Sequence, residues 1–600
     1  MRCQSLVAAL SLLGSAALAL HDQQFPVSTA GETSVRPLDI TNLNNGKPNS
    51  YSLGSKTEQW RFDEGPPENA TGNLIFDTVY SLLQHWPNTR YRNGHSIVPG
   101  VIPIGTLLYH GTSSNTIPSG PDWTATDPEH SLIFARGYGS AWHLTLAATR
   151  PLKVLYFDGS SAAKISGEGM MDTQDIIVWG AVQPERVFDE KSRIRDLCEW
   201  GKEFGIDGFA RMEMDFEVML CDFTAGVEVV SFVHLRVLSK DRNPDPYRSP
   251  SPPPPDPEVL DWVRVFEVMH SGSWHNRYPG DSRIVLDLTG LISLYDIALA
   301  PSLVPVRAGL ERCDHRVLGI SSEDISQVKR KLAEVIGRPD PGSGIDWKTL
   351  THVIVDRYAN RLELLQHLLN FTSSDSQELL QRAKLVQTQL RVMLTPYILD
   401  ATVVPSADTL APHPSQWASP IFRLCATTHT SVIINQIPFM TPSEHLLLEA
   451  VEKTTREVCR VTTKMWAVGV MSGLDTLFLI ELNGEPDVAQ IMDDWKQDIQ
   501  QLMSWLDWSI WIKCRPACGP EEMCYLPTWP ISAPSSSKYL RPTPRDPRNI
   551  TDAPDDLADR VGHLPEGSAI ADAFFFIGTP TEEWRKPQPK CIRRFSPYQF

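Results

Sequence analysis

Clustered lysine and arginine are missing from this sequence: 55 basic residues face 72 acidic ones, for a net charge of −17. Attachment to phosphate rests on such clusters, so no nucleic-acid partner is expected, and no anionic membrane surface either. Equally absent are a Gly-rich phosphate loop, a His-Glu-x-x-His helix and a Cys/His set at zinc-site spacing. No metal is expected on that ground. Gly280-Asp281-Ser282 lacks the rest of a Gly-x-Ser-x-Gly elbow. Long apolar runs are missing beyond the N-terminus; the best stretch, 467–482, is interrupted by Gly469, Gly473 and Asp475. A span needs about 20 apolar residues, so none is expected once the N-terminal signal is removed.

What is present is globular in character: 600 residues, 42% hydrophobic and 21% charged, long enough for two to four domains at about 100 to 200 residues each. Met1-Arg2, the apolar run Leu6–Leu18 and Ala17-Leu18-Ala19 have the order of a secretory signal with a small-x-small cleavage site, so residues 1–19 are expected to be removed and the protein secreted. Asn69-Ala70-Thr71, Asn370-Phe371-Thr372 and Asn549-Ile550-Thr551 are acceptors for glycans on that route. Ten cysteines, less Cys3 in the signal, leave an odd number, which requires at least one thiol outside any intramolecular pair. Cys514, Cys518 and Cys524 fit local disulfides better than a zinc site.

Along the mature chain, 20–55 is polar and reads as irregular. Apolar residues at helical spacing in 75–86 and 194–204 mark helices around a set of strands, so 56–240 reads as an α+β domain. Residues 241–257 are proline-rich, an extended spacer and the expected boundary. In 258–512 helical stripes dominate, with start signals at Asp346, at Asp375 with Glu378, and at Thr441-Pro442-Ser443-Glu444. The remainder, 513–600, is Cys- and Pro-rich and reads as an irregular tail.

Chemistry is best placed between Leu107 and Glu217. Leu107-Leu108-Tyr109-His110-Gly111-Thr112 is a strand ending at a polar turn. Trp123-Thr124-Ala125-Thr126-Asp127-Pro128-Glu129-His130 runs from a strand into a helix, with Asp127 as its side-chain cap. Gly205-Ile206-Asp207-Gly208 then turns toward Phe216-Glu217-Val218-Met219-Leu220-Cys221-Asp222. This order resembles the ADP-ribosyltransferase fold, in the branch with a His, Tyr and Glu triad. The resemblance, over about 100–235, implies an ADP-ribosyltransferase-like N-terminal domain followed by a mainly helical one. It implies NAD as substrate, held by His110, Gly111 and Thr112, with Trp123 where the family has its nicotinamide-stacking Tyr. Glu217 would be the catalytic carboxylate, since departure of nicotinamide leaves an oxocarbenium-like ribose that a carboxylate stabilises. The acceptor, a protein or a small molecule, is not readable from the sequence.

Other readings of the same residues stand beside this one. Strand alternation puts Glu213, Asp215 and Glu217 on one face, which is either a solvated face or, with neighbours about 7 Å apart, a sugar cleft of a glycoside hydrolase. His110 reads equally as a hydrogen-bonded structural histidine, and Trp123 as core. The whole chain also resembles secreted proteins of filamentous fungi without assigned activity, through 205–230 and 514–530, which fits a non-catalytic interaction protein of the cell wall or medium.

Overall fold

A computed structural model describes residues 60–135, 141–164, 168–235, 267–270, 272–273, 283–339, 342–405, 415–478, 480, 485–527 and 585–595. Residues 1–19, read above as a signal, residues 20–55, Asn549 and residues 241–257 lie outside them. Trp60–Phe600 forms one compact unit.

Its strands are β1 Ser96–Ile102, β2 Leu107–Thr112, β3 Asp122–Ala125, β4 Trp142–Ala148, β5 Leu152–Phe157, β6 Gly208–Met212, β7 Phe216–Leu220, β8 Val227–His234, β9 Val285–Leu286 and β10 Ile292–Ser293, with a separate pair β11 Glu522–Tyr525 and β12 Lys590–Arg593. The first ten form one sheet in the order β10-β1-β5-β6-β7-β3-β2-β4-β8, with β9 also on β1. Only β5 and β6 pair in parallel; every other ladder is antiparallel. A single pair, Tyr109↔Ala125, joins β2 to β3.

Helices α1 Gly72–Ser81, α2 His85–Arg90, α3 Pro128–Leu132, α4 Asp172–Val178 and α5 Glu190–Lys202 surround the sheet. Beyond it come α6 Leu303–Arg307, α7 Ser322–Gly337, α8 Trp347–Leu369, α9 Ser376–Leu394, α10 Ser419–Thr427, α11 Pro442–Met471 and α12 Val488–Leu506. The start signals hold in detail. Asp346 accepts from the Thr349 N–H, Asp375 from Gln377 and Glu378, and Thr441 with Glu444 closes a capping box. The 75–86 stripe is two helices, because the chain turns at Leu83, in the left-handed region at φ 57°. The 194–204 stripe is α5, and Gly205 beyond it has φ 65°.

Alternation divides the sheet residues between two cores. Leu108, Leu144, Leu146, Ala210, Phe216, Val218 and Leu220 join a core that continues into α1, α8, α9, α11 and α12. Ile97, Leu155, Phe157, Phe209 and Met219 face the other way, toward α4, α5 and α7. Thus the helical half closes one face of the sheet, and the packing does not divide at the proline-rich segment. The chain is α+β. Disulfides tie Cys198 to Cys221, Cys425 to Cys459, Cys514 to Cys524 and Cys518 to Cys591. Cys313 is the free thiol, buried. The Cys514–Cys524 bond is local as the spacing implies. Cys518 instead reaches 73 residues to Cys591 on β12, so the tail carries an ordered two-stranded ladder. Among the described residues no helix is long and apolar enough to cross a membrane.

Candidate functional site

The β6–β7 hairpin carries the site. Met212↔Phe216 is its last pair, and Glu213, Met214 and Asp215 make the turn, closed by the Glu213 N–H on the Asp215 carbonyl at 3.1 Å. Asp215 Oδ1 accepts the Phe216 N–H at 2.7 Å. Glu213, Asp215 and Glu217 are all buried, so the solvated-face reading is overturned. The physical reason is a charge ladder supplied by elements distant in sequence. Arg211, opposite Glu217 in register and 0% exposed, donates Nε to Glu217 Oε1 at 2.5 Å. The same guanidinium pairs with Glu190 at the start of α5 and donates to Gln174 Oε1 on α4 at 3.2 Å. Arg193, one turn along α5, takes Glu190 Oε1 at 3.2 Å and pairs with Asp175.

Electrostatics within the ladder are uneven. Burial pushes the Glu190 carboxyl up, but Arg211, Lys164 and Arg193 outweigh it and hold it down at about 2. Glu213 differs: burial raises its carboxyl, Glu217 adds to the rise, and Lys164, with Nζ 3.8 Å away, only partly opposes it. The hairpin therefore holds a buried, arginine-paired carboxylate next to a buried carboxyl whose pKa is raised.

Across the sheet Glu217 faces Ala125, and Ala125 faces Tyr109. Cross-strand partners share a face, so Tyr109, Trp123 and Glu217 lie on one side. Tyr109 stacks on His143, ring centroids 5.8 Å apart and 12° from parallel, and His143 Nε2 meets Ser131 Oγ on α3 at 2.8 Å. Thr126 anchors the end of β3, its N–H and Oγ1 both reaching the Phe216 carbonyl at 3.1 Å. Asp127 makes no side-chain cap at α3, contrary to the sequence expectation. Arg283 donates to it at 2.8 Å, an ion-pair partner stronger than a backbone N–H.

His110 lies on the opposite face from Glu217, with Leu108 and its register partner Leu144. Its Nδ1 meets the Trp123 carbonyl at 2.6 Å, and its ring stands edge-on to Phe223 at 5.4 Å. At Gly111 a Cβ would lie 1.9 Å from the Ser131 carbonyl oxygen, so the glycine is required where α3 crosses β2. Thr112 Oγ1 accepts the Ser114 N–H at 3.1 Å. Trp123 is half-buried against the second core. The structure thus places Trp123 with Glu217 and separates His110 from them. Tyr109 and His143 are the aromatic and the imidazole on the carboxylate's own side.

Sequence reading missed Arg211, Glu190, Lys164, His143 and His130. For Arg211 a signal existed, a lone basic residue two positions before Glu213 in an otherwise apolar strand. Among the described residues, Cys514, Cys518 and Cys591 approach each other as metal ligands would, but disulfides consume them. Glu311, Cys313 and Asp314 also cluster, and Arg585 pairs with both carboxylates while Lys586 pairs with Glu311.

The family model described as the YPL277C N-terminal domain matches residues 66–143 and 136–243, which include α1, β1 to β8 and the whole ladder. Two proteins of Saccharomyces cerevisiae are similar. Uncharacterized protein YPL277C is 33% identical over 224 residues, covering 28% of this chain and 44% of that protein, so the similarity spans less than half of that relative's length. Uncharacterized protein YOR389W is 23% identical over 557 residues, 77% of this chain and 82% of that protein.

Proposed function

We propose that this chain is a secreted enzyme that breaks the bond between nicotinamide and ribose in NAD, transferring ADP-ribose to a protein or small-molecule acceptor or to water. Glu217 is the carboxylate that faces the ribose. The observation that supports this most is the pairing of two unlike carboxyls in one hairpin: Glu217 held opposite Arg211 at 2.5 Å, and Glu213 pushed up by burial. Loss of nicotinamide leaves positive charge on the ribose, and a carboxylate fixed in a water-poor site stabilises that charge far more than it would in water. His110, Gly111, Thr112 and Trp123 are the NAD contacts that the resemblance to ADP-ribosyltransferases implies. Trp123 can serve that role beside Glu217, whereas His110 lies behind the sheet, so Tyr109 and His143 take the aromatic and imidazole places. Secretion is the route that the N-terminal signal pattern implies, and Asn69 and Asn370 are exposed, as glycan acceptors must be.

The pairing with Arg211 also favours a second reading, in which Glu217 only neutralises a buried arginine and the chain is a non-catalytic binding protein. The two readings part on one experiment. Purified mature protein is incubated with NAD and nicotinamide release is followed by chromatography, with Glu217→Gln alongside. Release by the parent that falls at least about 100-fold in the variant supports the enzyme. A folded parent that neither binds NAD nor releases nicotinamide would leave the binding-protein reading.

A further inference from the structure

We infer that His130 is the proton acceptor for the group that attacks the ribose, a role that rests on the glycosidic-bond reading above. His130 stands in the middle of α3, which follows β3 directly and lies over the same face of the sheet as Glu217. It is 0% exposed, and neither ring nitrogen has a hydrogen-bond partner among the described residues. A neutral imidazole carries one donor and one acceptor, and leaving a buried polar group unmet is unfavourable. The surrounding polar groups show how unusual this is. Arg211, Glu217, Glu190 and Arg193 are all tied into the ladder, and His143 and His110 each hold a partner. A methionine or leucine would fill the place of His130 without that penalty, so the imidazole is retained at a cost to the fold.

The ring lies near Glu213 of the β6–β7 turn. His143, the other imidazole on the carboxylate's side, is taken by Ser131, so His130 is the imidazole there with both ring nitrogens unmet among the described residues. In the step, the acceptor oxygen forms its bond to C1′ of the ribose as the bond from C1′ to the nicotinamide nitrogen breaks. The electron pair of the breaking bond goes to that nitrogen, which leaves uncharged. The acceptor's proton passes to a ring nitrogen of His130, and the imidazolium returns it to solvent after product departs.

Nicotinamide release by the full mature chain is measured across pH for the parent, Glu217→Gln, His130→Gln and His130→Leu, with unfolding midpoints for each. His130→Gln is expected to lower kcat by about 100-fold and to leave KM for NAD within a few-fold of the parent. His130→Leu is expected to be at least as stable as the parent. A parent without release overturns the glycosidic-bond reading together with this one. Release that is lost in Glu217→Gln but retained in His130→Gln overturns the role of His130 alone. So does a His130→Leu protein that unfolds well before the parent, because the ring would then be structural.

Discussion

Replacing His315 by Gln should make the protein less sensitive to acid by a calculable amount. The ring is buried, with Nδ1 3.3 Å from the Tyr295 hydroxyl and His95 edge-on at 6.4 Å. Burial first, then the Arg307 and Arg312 charges, lower its pKa to about 4 from the ordinary 6.5, against a backbone hydrogen bond at Leu310 and the Asp314 carboxylate. Between those two values the unfolded chain binds a proton that the folded chain refuses. Stability from this group is therefore complete above about pH 6.5, falls as the pH drops, and levels off below about 4. At about 1.4 kcal/mol per pH unit inside that window, and little above pH 6.5, the fall amounts to about 2 to 3 kcal/mol between about pH 7.5 and about pH 4.5. The carboxyls of Asp158 and Asp172, both raised to about 6 by burial, work in the opposite sense: they add stability as the pH falls below about 6. They are common to parent and variant, so the comparison removes them. Urea unfolding of both proteins at the two pH values should show the parent's advantage over His315→Gln shrinking by about 2 to 3 kcal/mol on acidification. An advantage that stays constant would refute the buried neutral imidazole.

Arg211→Met leaves Glu217 buried without its cation, while Glu190 keeps Arg193 and Lys164, and should cost about 3 to 5 kcal/mol in denaturant unfolding; a loss below about 1 kcal/mol would mean that water reaches the ladder. Gly111→Ala places a methyl 1.9 Å from the Ser131 carbonyl and should destabilise by about 1 to 3 kcal/mol whether or not NAD is present. If its unfolding midpoint matches the parent's, α3 does not cross β2 as described.

The helices were legible because their signals are local. Asp346, Asp375, Thr441 and Glu444 announce starts within four residues of the groups they cap. Strands β2, β3, β4, β5 and β7 were legible from their apolar patterns, and the α+β class followed; β1, which contains the turn-like Val98-Pro99-Gly100, β6 and β8 were not. What a sequence does not carry is which of two adjacent strand residues looks inward. Tyr109 and His110 are equally plausible site residues in a line of letters, and only the pairing Tyr109↔Ala125↔Glu217 decides between them. The burial of Glu213, Asp215 and Glu217 was hidden for a related reason. Glu217's counterion stands six residues away across a hairpin, and Glu190, which completes the clamp, is 21 residues from Arg211. Charged residues on a strand normally imply solvent; here their partners arrive from two helices and a second strand.

The core that runs from one face of the sheet into α1, α8, α9, α11 and α12 also limits how this protein can be cut and traded. A gene fragment ending near residue 243, where the family match stops, would encode strands whose Leu108, Leu144, Val218 and Leu220 have lost their cover. Such a piece could not be grafted onto another protein as a self-sufficient cassette unless the recipient brought a helical layer of its own. The same chain synthesised as two pieces should regain its fold only when both are mixed, each half serving as the other's lining.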